Sequence, residues 1–467
     1  MGKTTVAQVS SLRNLSSNFL SQARCLSYVN LKLETSVFLK ILCSGCFLLL
    51  LIPSSIVAQA DSLQFSSPRS VVVDSILLYE KLDSIVQTGI DSAAFPGVQV
   101  LVARKGKIIY YKNAGYHTYL KNRKVRSEDV YDLASVTKTV GGTLALMHLS
   151  DKGLFDVDKT WKDYFPTFKN SNKADLDFRS ILAHQAQLIP YIAFWTTTLR
   201  KNGKFKWRTF SNNQSTRFPI VITDDLYLHR KFKKKMYKGI KESKLSGKEE
   251  YRYSGLSFLL YPDLVKRKTG RAFDDFLYQT FYQPLGANRL VFNPLNHFQK
   301  EEIVPTEVDL YFRNTLVQGN VHDENAAMLD GISANAGLFG NALSLAKVLQ
   351  LLLNEGTYGG KRYLKATTVQ EFTRCQFCEE GNRRGLGFDK PLIEYDAKAA
   401  YVAKSASPSS YGHSGFTGTF YWVDPKEEMI VIFLSNRVHP TRENRKLYTL
   451  DIRPSLHQAI YDAIEAY

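Results

Sequence analysis

Cysteine is scarce in this 467-residue chain: there are five, and Cys25, Cys43 and Cys46 all fall within the first 60 residues. The remaining two, Cys375 and Cys378, are spaced C-x-x-C. With no second pair and no neighbouring histidines they make a poor zinc site, and no βαβ pattern surrounds them to suggest a thioredoxin-type centre. A disulfide, which an exported protein can form, or plain loop thiols remain. Long apolar runs are missing too. The strongest, ILCSGCFLLLLI, holds about a dozen residues where a membrane-spanning helix needs roughly 20. GKTT, residues 2–5, lacks the upstream glycine of a phosphate-binding loop, which excludes a nucleotide site of that kind. Neither internal repeats nor low-complexity linkers divide the chain, and at 44% hydrophobic residues it has the composition of a folded protein.

The short apolar run has a different use. It follows Lys40 and is succeeded by Pro53 and Ala58-Gln59-Ala60, the layout of a secretory signal with a small-residue cleavage site. Cys46 lies ahead of LLLLI rather than after it, which speaks against a lipoprotein. The expected organisation is an extension and signal over 1–60 and one exported domain over 61–467, placed in the periplasm, the cell envelope or outside the cell. The formal charge is +17; residues 1–60 carry five basic residues and one acidic, which leaves +13 on the mature chain. Its distribution is uneven. Between Arg200 and Lys248 fifteen Lys or Arg face only Asp224, Asp225 and Glu242, a surplus of twelve. Within it Phe232, Met236 and Ile240 recur at helical spacing, so a helix can bury that edge and leave its lysines in solvent. The segment is either a solvated face or a contact for an acidic envelope partner such as peptidoglycan carboxylates or lipid phosphates. Its aromatics Phe205, Trp207 and Phe210 would suit nucleic acid, but export removes that partner.

The hydropathy pattern gives the fold class. Residues 71–90 read as an amphipathic helix, and VQVLVAR and KIIYYKNAGY around Lys105-Gly106 as a hairpin. Near the other end TFYWVD and MIVIFLSNR flank the turn PKEE, and LHQAIYDAIEAY is a closing helix. An α+β sandwich follows, with one antiparallel sheet built from both termini and flanked by helices. The sheet lobe takes about 70–135 and 390–467, and a large helical lobe is inserted over about 140–390.

The chemistry centres on YDLASVTKTVGG. Ser135 and Lys138 are i and i+3, one face of a helix, and a helix N-terminus adds N–H groups and positive potential beside the hydroxyl. An unprotonated lysine amine there could take the serine proton. Spacing alone is weak evidence, since Ser344 and Lys347 repeat it; that serine is expected near a helix start with its lysine solvated. Two later clusters favour Ser135: Tyr253-Ser254-Gly255, and His413-Ser414-Gly415 leading into a strand. GHSGF is not a G-x-S-x-G elbow, because Phe416 occupies the fifth position. His322-Asp323-Glu324 has no second histidine at i+4 and reads as a structural or cleft-lining loop rather than a metal site. His184 in ILAHQAQL is either a packing histidine or a neighbour of the site.

In this order the three motifs resemble the serine β-lactamase and penicillin-binding superfamily, in its class C-like and esterase-like branch, across roughly residues 70–465. The resemblance implies a β-lactamase/transpeptidase-like fold and no cofactor or metal. It implies Ser135 as acylated nucleophile, Lys138 as its activating amine, Tyr253 as proton shuttle and His413 on an edge strand. Ser414 and Gly415 would border the substrate, and the N–H groups of Ser135 and Phe416 would form the oxyanion hole. Which of Lys138 and Tyr253 is the primary base stays open.

Two departures bear on substrate. Gly255 stands where many relatives have Asn, and His413 where β-lactamases have Lys; an unperturbed imidazole, with pKa near 6.5, is mostly neutral at pH 7. A carboxylate anchor is weakened, and would strengthen as pH falls through that value. Arg383 and Arg384 are possible replacements that the sequence does not place. The expected activity is that of an exported serine hydrolase acting on an amide or ester: a β-lactam, a D-amino-acid peptide of the cell wall or a small ester. The alternative is a non-hydrolysing penicillin- or peptidoglycan-binding envelope protein. Oligomeric state is not legible.

Overall fold

The computed structural model describes residues 62–467; the expected leader and its cleavage site lie outside the described residues. The main sheet is built from the two ends of this region. Strands β1 (Gln64–Phe65), β2 (Gly97–Arg104) and β3 (Lys107–Gly115) come from the N-terminal side. Much later in the chain come β7 (Tyr411–Ser414), β8 (Phe420–Asp424) and β9 (Met429–Ser435). The spatial order is β1-β3-β2-β9-β8-β7. All neighbours are antiparallel except β1 with β3. Strand β2 lies against β9 with Val98 opposite Ser435, which leaves β7 as an edge.

Every residue of β2 and β9 is buried because both faces of the sheet are covered. The two-residue period of a strand divides their side chains. Val98, Val100, Val102, Val431 and Phe433 pack with Leu78 and Leu82 of helix α1 (Ser75–Asp91) and with Leu456 and Ile460 of the C-terminal helix α5 (Ile452–Glu465). Leu101, Ala103, Ile430, Ile432 and Leu434 point the other way, into a core shared with Leu345 and Leu349 of helix α4 (Ala342–Leu353). The Asp74 carboxylate caps α1 by accepting from the N–H of Leu77 at 2.9 Å, and the Asp74 N–H donates to Ala463 O at 2.8 Å, joining the two ends. This is the expected α+β sandwich.

Helix α2 (Leu144–Asp151) belongs to the inserted lobe. So does α3 (Phe232–Glu242), which buries Phe232, Met236 and Ile240 as the spacing predicts. The lobe also holds β structure that its sequence did not announce: the small sheet of β4 (Phe210–Ser211), β5 (Ile220–Thr223) and β6 (Leu226–Leu228). Cys375 and Cys378 are joined as a disulfide.

Candidate active site

Ser135 lies where the chain passes from a short strand, Tyr131–Asp132, into a 3-10 turn, Ala134–Val136, and then a π-helical turn, Lys138–Thr143, that runs on into α2. The backbone stays helical through Thr137, so Ser135 and Lys138, three residues apart, lie on one face of the turn. Ala134 has φ 46°, a left-handed conformation that costs a residue with a Cβ about 1–3 kcal/mol. The Asp132 carboxylate helps hold it there, accepting from Ala134 N–H at 2.8 Å.

Lys138 is buried, and its Nζ donates to Ser135 Oγ and to the carbonyl oxygen of Asn335, both at 2.9 Å. Asn335 is fixed in turn: its Oδ1 accepts from Ser333 Oγ at 2.6 Å and its Nδ2 donates to Asp323 Oδ1 at 3.1 Å. Nζ also stands 5.2 Å from the centre of the Tyr253 ring, within cation–π range. The structure therefore brings Ser135, Lys138 and Tyr253 together.

His184, left open by the sequence, is the scaffold of Tyr253. Its carbonyl accepts from Arg252 N–H at 2.8 Å, its Nδ1 accepts from Ser254 N–H at 3.3 Å, and its ring centre is 4.6 Å from that of Tyr253. The Tyr253 hydroxyl has no hydrogen-bond partner among the described residues and so is available to an incoming ligand.

The third motif arrives on the sheet edge. His413 sits on β7, buried, with its ring centre 6.0 Å from that of Tyr253. Nδ1 lies 2.8 Å from the Ser414 carbonyl and must donate to it, which leaves the buried Nε2 as an acceptor without a partner among the described residues. Burial, with Arg384 and Lys138 nearby, pushes the imidazole down to about 3. The expectation that this ring charges as pH falls through 6.5 is thereby corrected. The same burial and cations drive His184 well below its ordinary value. Arg383 and Arg384 are no free anchors: both guanidiniums bind Asp389, and Arg384 is buried with its Cζ 5.8 Å from the Tyr253 ring centre.

Beyond His413 the chain turns through Gly415, Phe416 and Thr417 before β8. Two hydroxyls tie this turn to the segment ahead of Ser135: Thr417 Oγ1 donates to Asp132 O at 2.7 Å, and Thr419 Oγ1 to Leu133 O at 3.0 Å. The approach is so close that a Cβ on Gly415 would lie 2.1 Å from Thr419 Oγ1 and 2.6 Å from Leu133 O. The N–H groups of Ser135 and Phe416 donate to no backbone carbonyl among the described residues. The Phe416 ring, half exposed, is held between the His322 ring, 5.6 Å away, and the Arg437 guanidinium at 4.8 Å.

His322, Asp323 and Glu324 form a hydrogen-bonded loop beside the Phe416 ring and Asn335. His322 pairs with Glu307 at 2.7 Å, and Asp323 caps the short helix Glu324–Ala327. Burial would raise the Glu307 carboxyl, but hydrogen bonds from His322 and Arg442 hold it down to about 2. The second Ser-x-x-Lys has a different surrounding: Ser344 Oγ accepts from Arg289 N–H at 3.3 Å, and Lys347 is half-buried and donates to the Gly286 carbonyl at 2.6 Å rather than facing solvent. Asn335, Thr417, Thr419 and the placement of Arg384 were missed by the sequence reading; the paired threonines in GFTGTF were the nearest available signal.

A model of the beta-lactamase family matches residues 82–453. A Salmonella gallinarum protein, provisionally named D-alanyl-D-alanine carboxypeptidase, is 29% identical over 419 residues, covering 84% of this chain and 90% of its own. Among solved structures, a penicillin-binding protein homologue from Caulobacter crescentus superposes with a TM-score of 0.58 at 15% identity, over 83% of this chain and 97% of that one. A family VIII carboxylesterase gives 0.55 at 18% identity, over 83% and 97%.

Proposed function

The chain belongs to the beta-lactamase family and is a serine hydrolase, and from that premise we propose that it acts through an acyl-enzyme on Ser135, cleaving esters and D-amino-acid amides in preference to β-lactams. The observation that carries the reading is the 2.9 Å contact between Lys138 Nζ and Ser135 Oγ beneath Tyr253. With the Lys138 amine unprotonated, Ser135 Oγ attacks the carbonyl carbon as its proton passes to Nζ, directly or through Tyr253 Oη. Negative charge gathers on the carbonyl oxygen, where the N–H groups of Ser135 and Phe416 receive it. The carbonyl–oxygen or carbonyl–nitrogen bond then breaks, and the leaving atom takes the proton back by way of Tyr253. Water repeats the sequence on the acyl-enzyme, releasing the acid and restoring Ser135.

The substrate preference rests on the edge strand. A neutral His413 offers no charge to a carboxylate, and Gly255 offers no side-chain amide. The carboxypeptidase name of the Salmonella relatives supports a peptidoglycan-derived peptide as the amide substrate; the same edge strand favours one whose reacting D-amino-acid end is an amide over one that ends in a free carboxylate. The leader ending at Ala58-Gln59-Ala60 supports export; N-terminal sequencing of the protein from its host should begin at Asp61.

Intact-mass spectrometry tests the site. A reactive ester or β-lactam should add one acyl group to the wild type and to the Ser344→Ala and Ser414→Ala variants, and none to Ser135→Ala. An adduct on another serine refutes the assignment, and an adduct that never turns over with any ester or peptide favours the binding protein instead.

A further inference from the structure

The lobe between His184 and Tyr253 carries a surface that the reaction does not use. Of the fifteen lysines and arginines between Arg200 and Lys248, only Lys233 and Lys238 reach a carboxylate among the described residues, those of Asp263 and Glu242. Helix α3 is preceded by Lys231 at its cap and opens on Phe232-Lys233-Lys234-Lys235, with no acidic residue in the first turn and no side-chain cap. Cations at that end oppose the helix dipole, so the cluster weakens the fold that bears it.

Backbone hydrogen bonds draw further cations to the same place. His229 N–H donates to Thr209 O at 3.0 Å, beside Arg208, and Arg230 N–H donates to Arg217 O at 3.0 Å. Burial, and then Arg217, Lys231, Arg230 and Lys235, depress the His229 imidazole, which marks where their fields meet.

This charge is accompanied by exposed apolar surface. Trp207 is 71% exposed between Lys206 and Arg208, and the Arg208 guanidinium lies 3.7 Å from the indole centre. Nearby in sequence, Phe205 and Phe210 pack on Phe312 with ring centres 6.4 and 6.0 Å apart. The hairpin that supplies Phe312 exposes Leu310 at 73%. A polyanion in water rewards the cations and leaves Trp207 and Leu310 wetted. A bilayer interface takes both, phosphates for the cations and the headgroup boundary for the indole.

We propose that this lobe docks the protein on a bilayer rich in anionic phospholipid, with Trp207 in the interface and the basic residues around Arg208, Arg217 and Lys231 on the phosphates. Both ends of the lobe return to the site, at His184 and Tyr253, so docking would hold the cleft at a set height above the membrane.

The test mixes the full chain with vesicles of phosphatidylcholine alone or with phosphatidylglycerol. Binding to the anionic vesicles should be roughly tenfold tighter or more, and should be lost at high salt. Trp161 and Trp422 are buried and Trp195 is half-buried against Phe312, so Trp207 is read by difference: quenching by lipids brominated in the acyl chain should fall clearly in Trp207→Phe and be little changed in Trp195→Phe. Reversal of charge in Arg208→Glu with Lys231→Glu should cost about tenfold or more in binding and leave ester hydrolysis unchanged. Every variant carries the same N-terminal residues, so any binding by their apolar run cancels. Equal affinity for both vesicle types, or a charge-reversed variant that binds like the wild type, overturns the proposal. So does capture by anionic polymers or wall fragments without quenching, which would assign the surface to a polyanion.

Discussion

The carbonyl oxygen of Asn335 accepts from Lys138 Nζ at the same 2.9 Å that separates Nζ from Ser135 Oγ. The amine is thus held between a fixed backbone acceptor and the hydroxyl it serves. What fixes the acceptor is the Asn335 side chain, clasped by Ser333 and Asp323. Asn335→Ala and Asp323→Ala are therefore expected to lower kcat on a small ester by roughly tenfold with little change in KM, because the amine loses orientation and the pocket keeps its walls. Lys138→Ala should cost roughly a hundredfold or more. Steady-state kinetics on folded variants decide it.

Two glycines of the site should respond in opposite ways to a side chain. At Gly255 a Cβ meets Lys138 Cε at 3.7 Å and Asn335 Cβ at 3.8 Å, ordinary contacts. Gly255→Asn is expected to fold with an unchanged Tm and to raise penicillin kcat/KM severalfold relative to the ester. Gly415→Ala forces contacts of 2.1 and 2.6 Å and should displace the Phe416 turn, lowering kcat by roughly a hundredfold. Thermal melts and paired substrates separate the two outcomes.

His413, held down to about 3, stays uncharged across the working range. The ratio of kcat/KM for an anionic substrate to that for its neutral analogue is expected to be independent of His413 between about pH 5 and 8. A rise toward acid pH that His413→Gln abolishes would show that the ring does charge.

Buried histidines should also set the acid limit of the fold. Burial holds His413 and His457 at about 3 and His439 at about 4, whereas an unfolded histidine titrates near 6.5. Below about 6.5 the unfolded chain takes up protons that the native chain refuses, so this stability is complete above 6.5 and is lost as pH falls toward those values. Each histidine contributes a slope of about 1.4 kcal/mol per pH unit. His457, remote from the cleft on α5, is the clean probe: His457→Gln should flatten the decline of stability between about pH 6.5 and 5 by close to one proton. An unchanged slope in urea titrations would show that His457 protonates in the native state.

The parts of the fold written in side chains were legible from sequence. Period-two runs such as VQVLVAR and MIVIFLSNR announced the central strands, and the order of three motifs selected Ser135 over Ser344. The parts made by backbone were not. Asn335 serves Lys138 through a carbonyl that any residue type possesses, and the free N–H of Phe416 has no residue signature. The pKa of His413 was misjudged because burial and a cation from residue 384 set it, and neither can be seen from position 413. The short strands β4 to β6 escaped notice because two to four residues carry too little periodicity to register.

The threonine bonds that fasten the Phe416 turn to Asp132 and Leu133 span 285 and 286 residues of chain. They give catalysis a timetable. During synthesis the nucleophile emerges early, and β2 and β3 wait with an open flank for β9, more than three hundred residues behind them. Until that strand docks, the oxyanion donor of Phe416 has no fixed address, and a half-made chain holds a serine and a lysine but no competent enzyme. Any cut that removes the last forty or so residues should silence the active site without touching Ser135.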